Sequence, residues 1–126
     1  MADDAAFSPD SQTLAIIDRY DHAEKSQIIL WDVETKSRRK VLKSEDFLEK
    51  ALSFSPDGKF LAVIGVQVVE GYSFGHQVRL LDIATEKVVH TWSSWKRRMF
   101  GRTFSPDNQT LAISEFNGVH PLQTRY

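Results

Sequence analysis

Cysteine is absent from the 126 residues, which excludes disulfides, thiolate zinc centres and cysteine nucleophiles. Neither sign of charge is in excess. Sixteen Lys and Arg stand against seventeen Asp and Glu, for a formal charge of -1. A balance of this kind lacks the bulk cationic field on which non-specific nucleic-acid binding relies. No apolar run approaches the roughly 20 residues needed to span a bilayer. The first residues, Met1-Ala2-Asp3-Asp4-Ala5-Ala6, are acidic and have neither the basic nor the apolar region of a signal peptide. The expectation is a cytoplasmic chain. Hydrophobic residues make up 41% and charged residues 26%, as in ordinary globular proteins, and the length suits one domain.

Proline is scarce too, and its placement is informative. Three of the four prolines occupy the same setting in three similar segments. These begin Ala6-Phe7-Ser8-Pro9-Asp10, Ser53-Phe54-Ser55-Pro56-Asp57 and Thr103-Phe104-Ser105-Pro106-Asp107, and each continues into an apolar run. A second element, Gln27-Ile28-Ile29-Leu30-Trp31-Asp32-Val33, matches Gln77-Val78-Arg79-Leu80-Leu81-Asp82-Ile83 at an offset of 50. Thr35 to Phe54 and Thr85 to Phe104 both span 19 residues, whereas Phe7 to Gln27 spans 20 and Phe54 to Gln77 spans 23. The length difference therefore falls in one connection, as expected of a surface loop on a fixed framework. Self-similarity at this period marks a repeat architecture, with units of about 1–47, 48–97 and 98–126 in a single domain.

Local chemistry predicts strands throughout. In Ser-Pro-Asp-Gly58 and its counterparts, proline pre-sets the second position of a type I turn and Asp tolerates the third; Gly58, Asn108 or Ser11 takes the left-handed exit. Strands are expected near 4–7, 14–18, 27–31, 39–43, 50–54, 60–68, 77–81, 87–92, 101–104 and 110–115. The one stretch with helical character, Glu45 to Leu52, is expected to be a connection between strands. Asn117-Gly118 is a two-residue turn signal. If the chain reverses there, Val119 to Arg125 forms a further strand that Pro121 restricts to a sheet edge.

Four strands in about 45 residues is the pattern of a β-propeller blade. With Trp31-Asp32 as the signature dipeptide and Leu81-Asp82 as a weaker copy, the chain resembles the WD40-repeat family over roughly residues 5 to 115. The Gly-His dipeptide of that family is missing ahead of Phe54 and Phe104, and no Asp precedes Gln27 or Gln77 in the tight turn. These are divergent blades, and the Ser-Pro-Asp-Gly propellers of the TolB type are a neighbouring alternative. The resemblance implies an all-β fold built from four-stranded antiparallel blades, and a protein-interaction or scaffolding role without catalysis or cofactor. Ten strands amount to two and a half blades, while closed propellers typically have four to eight. Three arrangements follow: part of a larger propeller, a ring completed by further copies or another chain, or a self-sufficient β-sandwich.

Candidate chemistry is thin. Gly71-Tyr72-Ser73-Phe74-Gly75 matches the G-x-S-x-G elbow of serine hydrolases, which needs a helix after the nucleophile; here the repeat's strand follows. His22, His76, His90 and His120 form no metal-ligand pair at a recognised spacing, and the acidic residues around His22 match no EF-hand loop. The partner-binding candidates are the aromatics in the connections before Gln27 and Gln77, namely Tyr20 with His22 and Tyr72 with Phe74, together with Trp95, Lys96, Arg97 and Arg98. Tyr, Trp and Arg are enriched at binding hot spots. Propeller topology places all these connections at one face. The Lys96–Arg98 run, with Trp95 as a stacking surface, also offers an alternative reading as an anion site for a phosphoinositide headgroup or an RNA backbone.

Overall fold

A computed structural model describes residues 2–20, 25–70, 72–94, 99–115 and 118–123. Eleven strands occupy most of them. The first sheet holds β1 (Ala2–Phe7), β2 (Thr13–Tyr20), β3 (Lys25–Asp32) and β4 (Ser37–Lys43). The second holds β5 (Phe47–Phe54), β6 (Phe60–Val69), β7 (Tyr72–Asp82) and β8 (Lys87–Ser94). β9 (Met99–Phe104), β10 (Thr110–Glu115) and β11 (Gly118–Gln123) make the third. Every pairing is antiparallel and links strands adjacent in sequence.

The three Ser-Pro-Asp turns share one hydrogen-bond pattern. The hydroxyls of Ser8, Ser55 and Ser105 donate to Oδ1 of Asp10, Asp57 and Asp107 at 2.6, 2.7 and 2.5 Å. Each hydroxyl oxygen also accepts from the first amide of the next strand, at Thr13, Phe60 and Thr110, at 2.9 to 3.0 Å. The left-handed exits fall where the sequence placed them, with φ of 62° at Ser11, 75° at Gly58 and 63° at Asn108.

Sheets stack face to face through two apolar layers. Between the first and second lie Ala15, Ile17, Ile28 and Leu30 on one side and Phe47, Leu52, Leu61 and Val63 on the other. Between the second and third lie Ala62, Ile64, Val78 and Leu80 against Leu111 and Ile113. β6 therefore buries alternate residues on opposite sides, following the period of two along a strand. Neighbouring sheets approach through their leading strands, β1 to β5 and β5 to β9. At the outer strands a cleft opens between Val41 and Leu42 of β4 and Leu81 and Val88 of the second sheet. The fold is thus all-β, its sheets arranged as successive blades of a partial β-propeller.

Three expectations need correction. The Glu45–Leu52 stretch is not a connection: Phe47–Phe54 is β5, the leading strand of the second blade. A bulge at Lys50 shifts the register between Glu49 and Ala51 and breaks the alternation that would have marked a strand. The aromatics Tyr20, Tyr72 and Phe74 lie within β2 and β7, not in loops, because the second hairpin extends until Val69 pairs with Tyr72. The extra residues lengthen the ladder instead of the loop. Eleven strands are present where ten were counted: β11 pairs with β10 and carries Pro121 at the sheet edge, as the Asn117-Gly118 signal allowed, although Asn117 lies outside the described residues.

Candidate interaction face

In an antiparallel sheet, alternate connections emerge at the same end. The β2–β3, β4–β5, β6–β7 and β8–β9 connections share one end, and the Ser-Pro-Asp turns share the other. The first end holds the candidates. Tyr20 is half-buried at the close of β2, with Lys43 Nζ 5.8 Å from its ring centroid. Tyr72 opens β7 with 72% of its surface exposed. Phe74 and Ser73 follow it in the same strand. His22, Trp95, Lys96, Arg97 and Arg98 lie outside the described residues. Residues Tyr72–Asp82 form one strand, so no helix follows Ser73 to build a nucleophile elbow.

A polar network ties the β4–β5 connection to the second blade. Arg79 projects from β7 into the inter-sheet layer, its guanidinium 4.0 Å from the centroid of the Phe47 ring. It donates to Gln77 Oε1 and Ser44 Oγ at 3.1 Å and to both Asp46 oxygens at 3.4 Å. Gln67 Nε2 donates to Asp46 from the other side at 3.4 Å, and Gln67 Oε1 accepts from Gln77 Nε2 at 3.1 Å. Partial burial raises the Asp46 pKa, but bonds from Arg79, the Arg79 charge, and bonds from Gln67 and Ser44 outweigh it, so the carboxyl titrates below its usual range. The short β4–β5 connection is thereby held to the second blade.

Deeper in the layer, Glu49 is 2% exposed and accepts a hydrogen bond from the Ser26 hydroxyl, while its own amide donates to Ser26 Oγ at 2.9 Å. Burial pushes its carboxyl above the ordinary value; the Ser26 bond and the charges of Arg79 and Arg19 oppose this without cancelling it. Beside it a cleft of about 190 Å³ runs between the blades, walled by Ile28, Leu42, Val63 and Leu81 and rimmed by Lys43 and Arg79. Of the polar groups along it, Glu49 is bonded to Ser26 and Arg79 to Ser44. Among the described residues, no group of three His, Asp or Glu could hold a metal ion.

Sequence reasoning missed Arg79, Asp46, Glu49 and Ser26. The available signal was Arg79 itself, a charge in an apolar strand at the position where the first unit has Ile29. Apart from Gln77 on the same strand, its partners come from β5 and the β4–β5 connection and carry no local signature.

No protein-family model matches the chain. It is similar to the uncharacterized WD repeat-containing protein sll1491 of Synechocystis sp. (strain ATCC 27184 / PCC 6803 / Kazusa), with 33% identity over 75 residues. The match covers 60% of this chain and 19% of that protein, so the chain spans about a fifth of the length of the curated relative it matches. Among the described residues no helix is long and apolar enough to cross a membrane. The fold and this similarity together give a WD-repeat-like set of propeller blades.

Proposed function

We propose that the chain is a non-catalytic interaction module of WD-repeat type, whose blades hold the β2–β3, β6–β7 and β8–β9 connections in fixed relative positions for a protein partner. The observation that carries this reading is Tyr72, 72% exposed where the longest hairpin turns, its strand paired to β6 up to Val69. A large aromatic on a rigid base presents contact area with little conformational entropy to lose on binding. Tyr20, His22, Phe74, Trp95, Lys96, Arg97 and Arg98 complete the proposed face. The partner is a protein, met in the cytoplasm.

Affinity capture from native cytosol, compared between the wild type and Tyr72→Ala, tests the reading. A specific partner bound by the wild type and weakened at least tenfold in the variant is expected, the loss typical of a hot-spot aromatic. Capture unchanged by Tyr72→Ala and by the Arg97→Ala, Arg98→Ala pair would refute it. Binding to anionic vesicles or RNA that depends on Arg97 and Arg98, with no protein partner, would replace it by the anion-site alternative.

A further inference from the structure

We propose that the outer edge of the first blade takes up an extended acidic peptide as a fifth strand beside β4, its acidic residues alternating with apolar ones. This extends the interaction-module reading to a second surface, and its evidence is independent of Tyr72.

Position makes this edge available. The first blade ends on its fourth strand, and β4 pairs with β3 alone among the described residues. Sheets added to the stack cover faces, so they leave this edge open. The second blade shows that an outer strand also stays accessible when a sheet lies against it. Val88, Thr91 and Ser93 of β8 occupy the positions of Arg38, Val41 and Lys43 at the repeat's offset of 50. Their cross-strand partners Leu81, Arg79 and Gln77 turn toward the first sheet, Leu81 onto its core. Val88, Thr91 and Ser93 are nevertheless exposed. An accessible edge strand offers unpaired backbone donors and acceptors to another chain.

Charge and shape narrow the occupant. Lys36, Arg38, Arg39, Lys40 and Lys43 put five cations into eight residues. Neighbours hold four of them in place. Arg38 lies 5.9 Å over the Trp31 ring and Lys43 5.8 Å over that of Tyr20. Arg39 donates to Thr13 Oγ1 at 2.8 Å and Lys40 to the Ile83 carbonyl at 3.3 Å. Of the five, Lys40 alone has a carboxylate within 4.0 Å among the described residues, that of Glu86. Charge also guards edges against aggregation. Yet β8, an edge of the same kind, has Val88, Val89 and His90 where β4 has Arg38, Arg39 and Lys40. The blade itself therefore does not require these cations, and they call for an anionic partner. Alternation, with the register shift between Leu30 and Trp31, turns Leu42 and Lys40 toward the second blade and Arg38 and Lys43 away from it. On the blade-facing side lies the apolar cleft between Leu42 and Val88, its volume of about 190 Å³ exceeding the roughly 150 Å³ that admits benzene. A strand added beside β4 sets acidic residues against Arg38 and Lys43 and, at the alternate positions, one large apolar side chain into the cleft. An RNA backbone or a lipid headgroup would use the cations without the edge or the cleft.

Fluorescence anisotropy of a labelled Glu-Val-Glu-Phe-Glu-Val-Glu peptide, titrated with the full chain, tests this. Saturable binding that weakens with added salt is expected. It should fall at least tenfold in an Arg38→Glu, Lys43→Glu variant and stay unchanged in Lys87→Glu, a charge reversal on β8. Changes in the peptide test the same points on the wild-type protein, whether or not a variant folds. Replacing Phe by Ala, or scrambling the peptide so that acid and apolar residues no longer alternate, should each cost at least tenfold. Methylating one alternate set of peptide amides should abolish binding, and methylating the other set should not. Absence of saturable binding, equal affinity for the Lys-for-Glu peptide, or indifference to both methylations would overturn the proposal. So would an RNA oligomer or phosphatidylserine vesicles binding through Arg38 and Lys43 where the peptide does not. Tyr72→Ala should leave peptide binding intact, so failure at the β4 edge and failure at the tyrosine-bearing face are read separately.

Discussion

Ser55 shows how much one hydroxyl does in this fold. It is 1% exposed, donates to Asp57 and accepts from the Phe60 amide. Ser55→Ala takes the acceptor from the Phe60 amide and one of the donors from Asp57, and about 1 kcal/mol should be lost. Urea unfolding followed by tryptophan fluorescence would measure this as a lower midpoint at unchanged slope. Glu49 is the opposite case, a buried carboxyl whose charged form is disfavoured by the fold. Its folded pKa lies above the ordinary 4.5, so the native state holds the proton to higher pH than the unfolded chain does. The stability tied to this group is full below 4.5 and declines as pH rises through the raised value. Glu49→Gln keeps an acceptor for Ser26 and removes the titration. Its unfolding midpoint, relative to wild type, should therefore rise more at pH 8 than at pH 4. Asp46 and Asp57 work in the other direction, since their folded pKa values lie below 3.8 and the stability they give fades as pH falls through that region.

At the level of the strand, β5 and β6 are joined by a close approach that only glycine permits. Gly65 faces Phe47, and a Cβ added there would lie 2.5 Å from the Leu48 carbonyl oxygen and 2.6 Å from the Phe47 ring. The ring cannot swing aside freely, because the Arg79 guanidinium covers it. Gly65→Ala should therefore displace Phe47, cost on the order of 1–3 kcal/mol as overpacking does, and loosen the Arg79–Asp46 contact. Thermal melts would register the loss. A matched Phe47→Leu, Gly65→Ala variant should recover part of it if the clash with the ring is the cause. The β3–β4 and β7–β8 turns repeat a different device. Asp32 and Asp82 accept from the amides of Thr35 and Thr85 at 3.0 and 3.2 Å, and the residue after each threonine, Lys36 or Glu86, sits at positive φ. Here the Asp of the Trp-Asp dipeptide has a local role that does not depend on the tryptophan, which explains why Leu81-Asp82 makes the same turn.

For the whole molecule, the decisive quantity is the number of sheet faces left without a neighbour. The second sheet is covered on both sides and contributes the most completely buried strand. Removing residues 99–126 would uncover Ala62, Ile64, Val78 and Leu80, four residues at or below 1% exposure. Such a truncation should bind a hydrophobic dye strongly and precipitate at concentrations where the full chain stays clear, with turbidity and dye fluorescence as the readouts. Truncation after Asn117, which spares β9 and β10, should be milder, because Leu111 and Ile113 would still cover that layer.

The chain's periodicity by itself determined the strands, the three Ser-Pro-Asp turns with their left-handed exits, and the blade as the unit of construction. Those features depend on residues a few positions apart, where turn stereochemistry and the two-residue period of a strand leave little freedom. Tertiary structure alone decided that Glu45–Leu52 leads into a blade strand despite its bulge, that Tyr72 stands on an extended ladder, and that Arg79, Asp46, Glu49 and Ser26 meet between blades. The bonded partners stand 23 residues apart for Ser26 and Glu49 and 33 apart for Asp46 and Arg79. A contact over such distances is set by how sheets stack. The surroundings of one strand carry no trace of it, and so a lone arginine in an apolar run had to wait for its carboxylate to be found on another sheet edge.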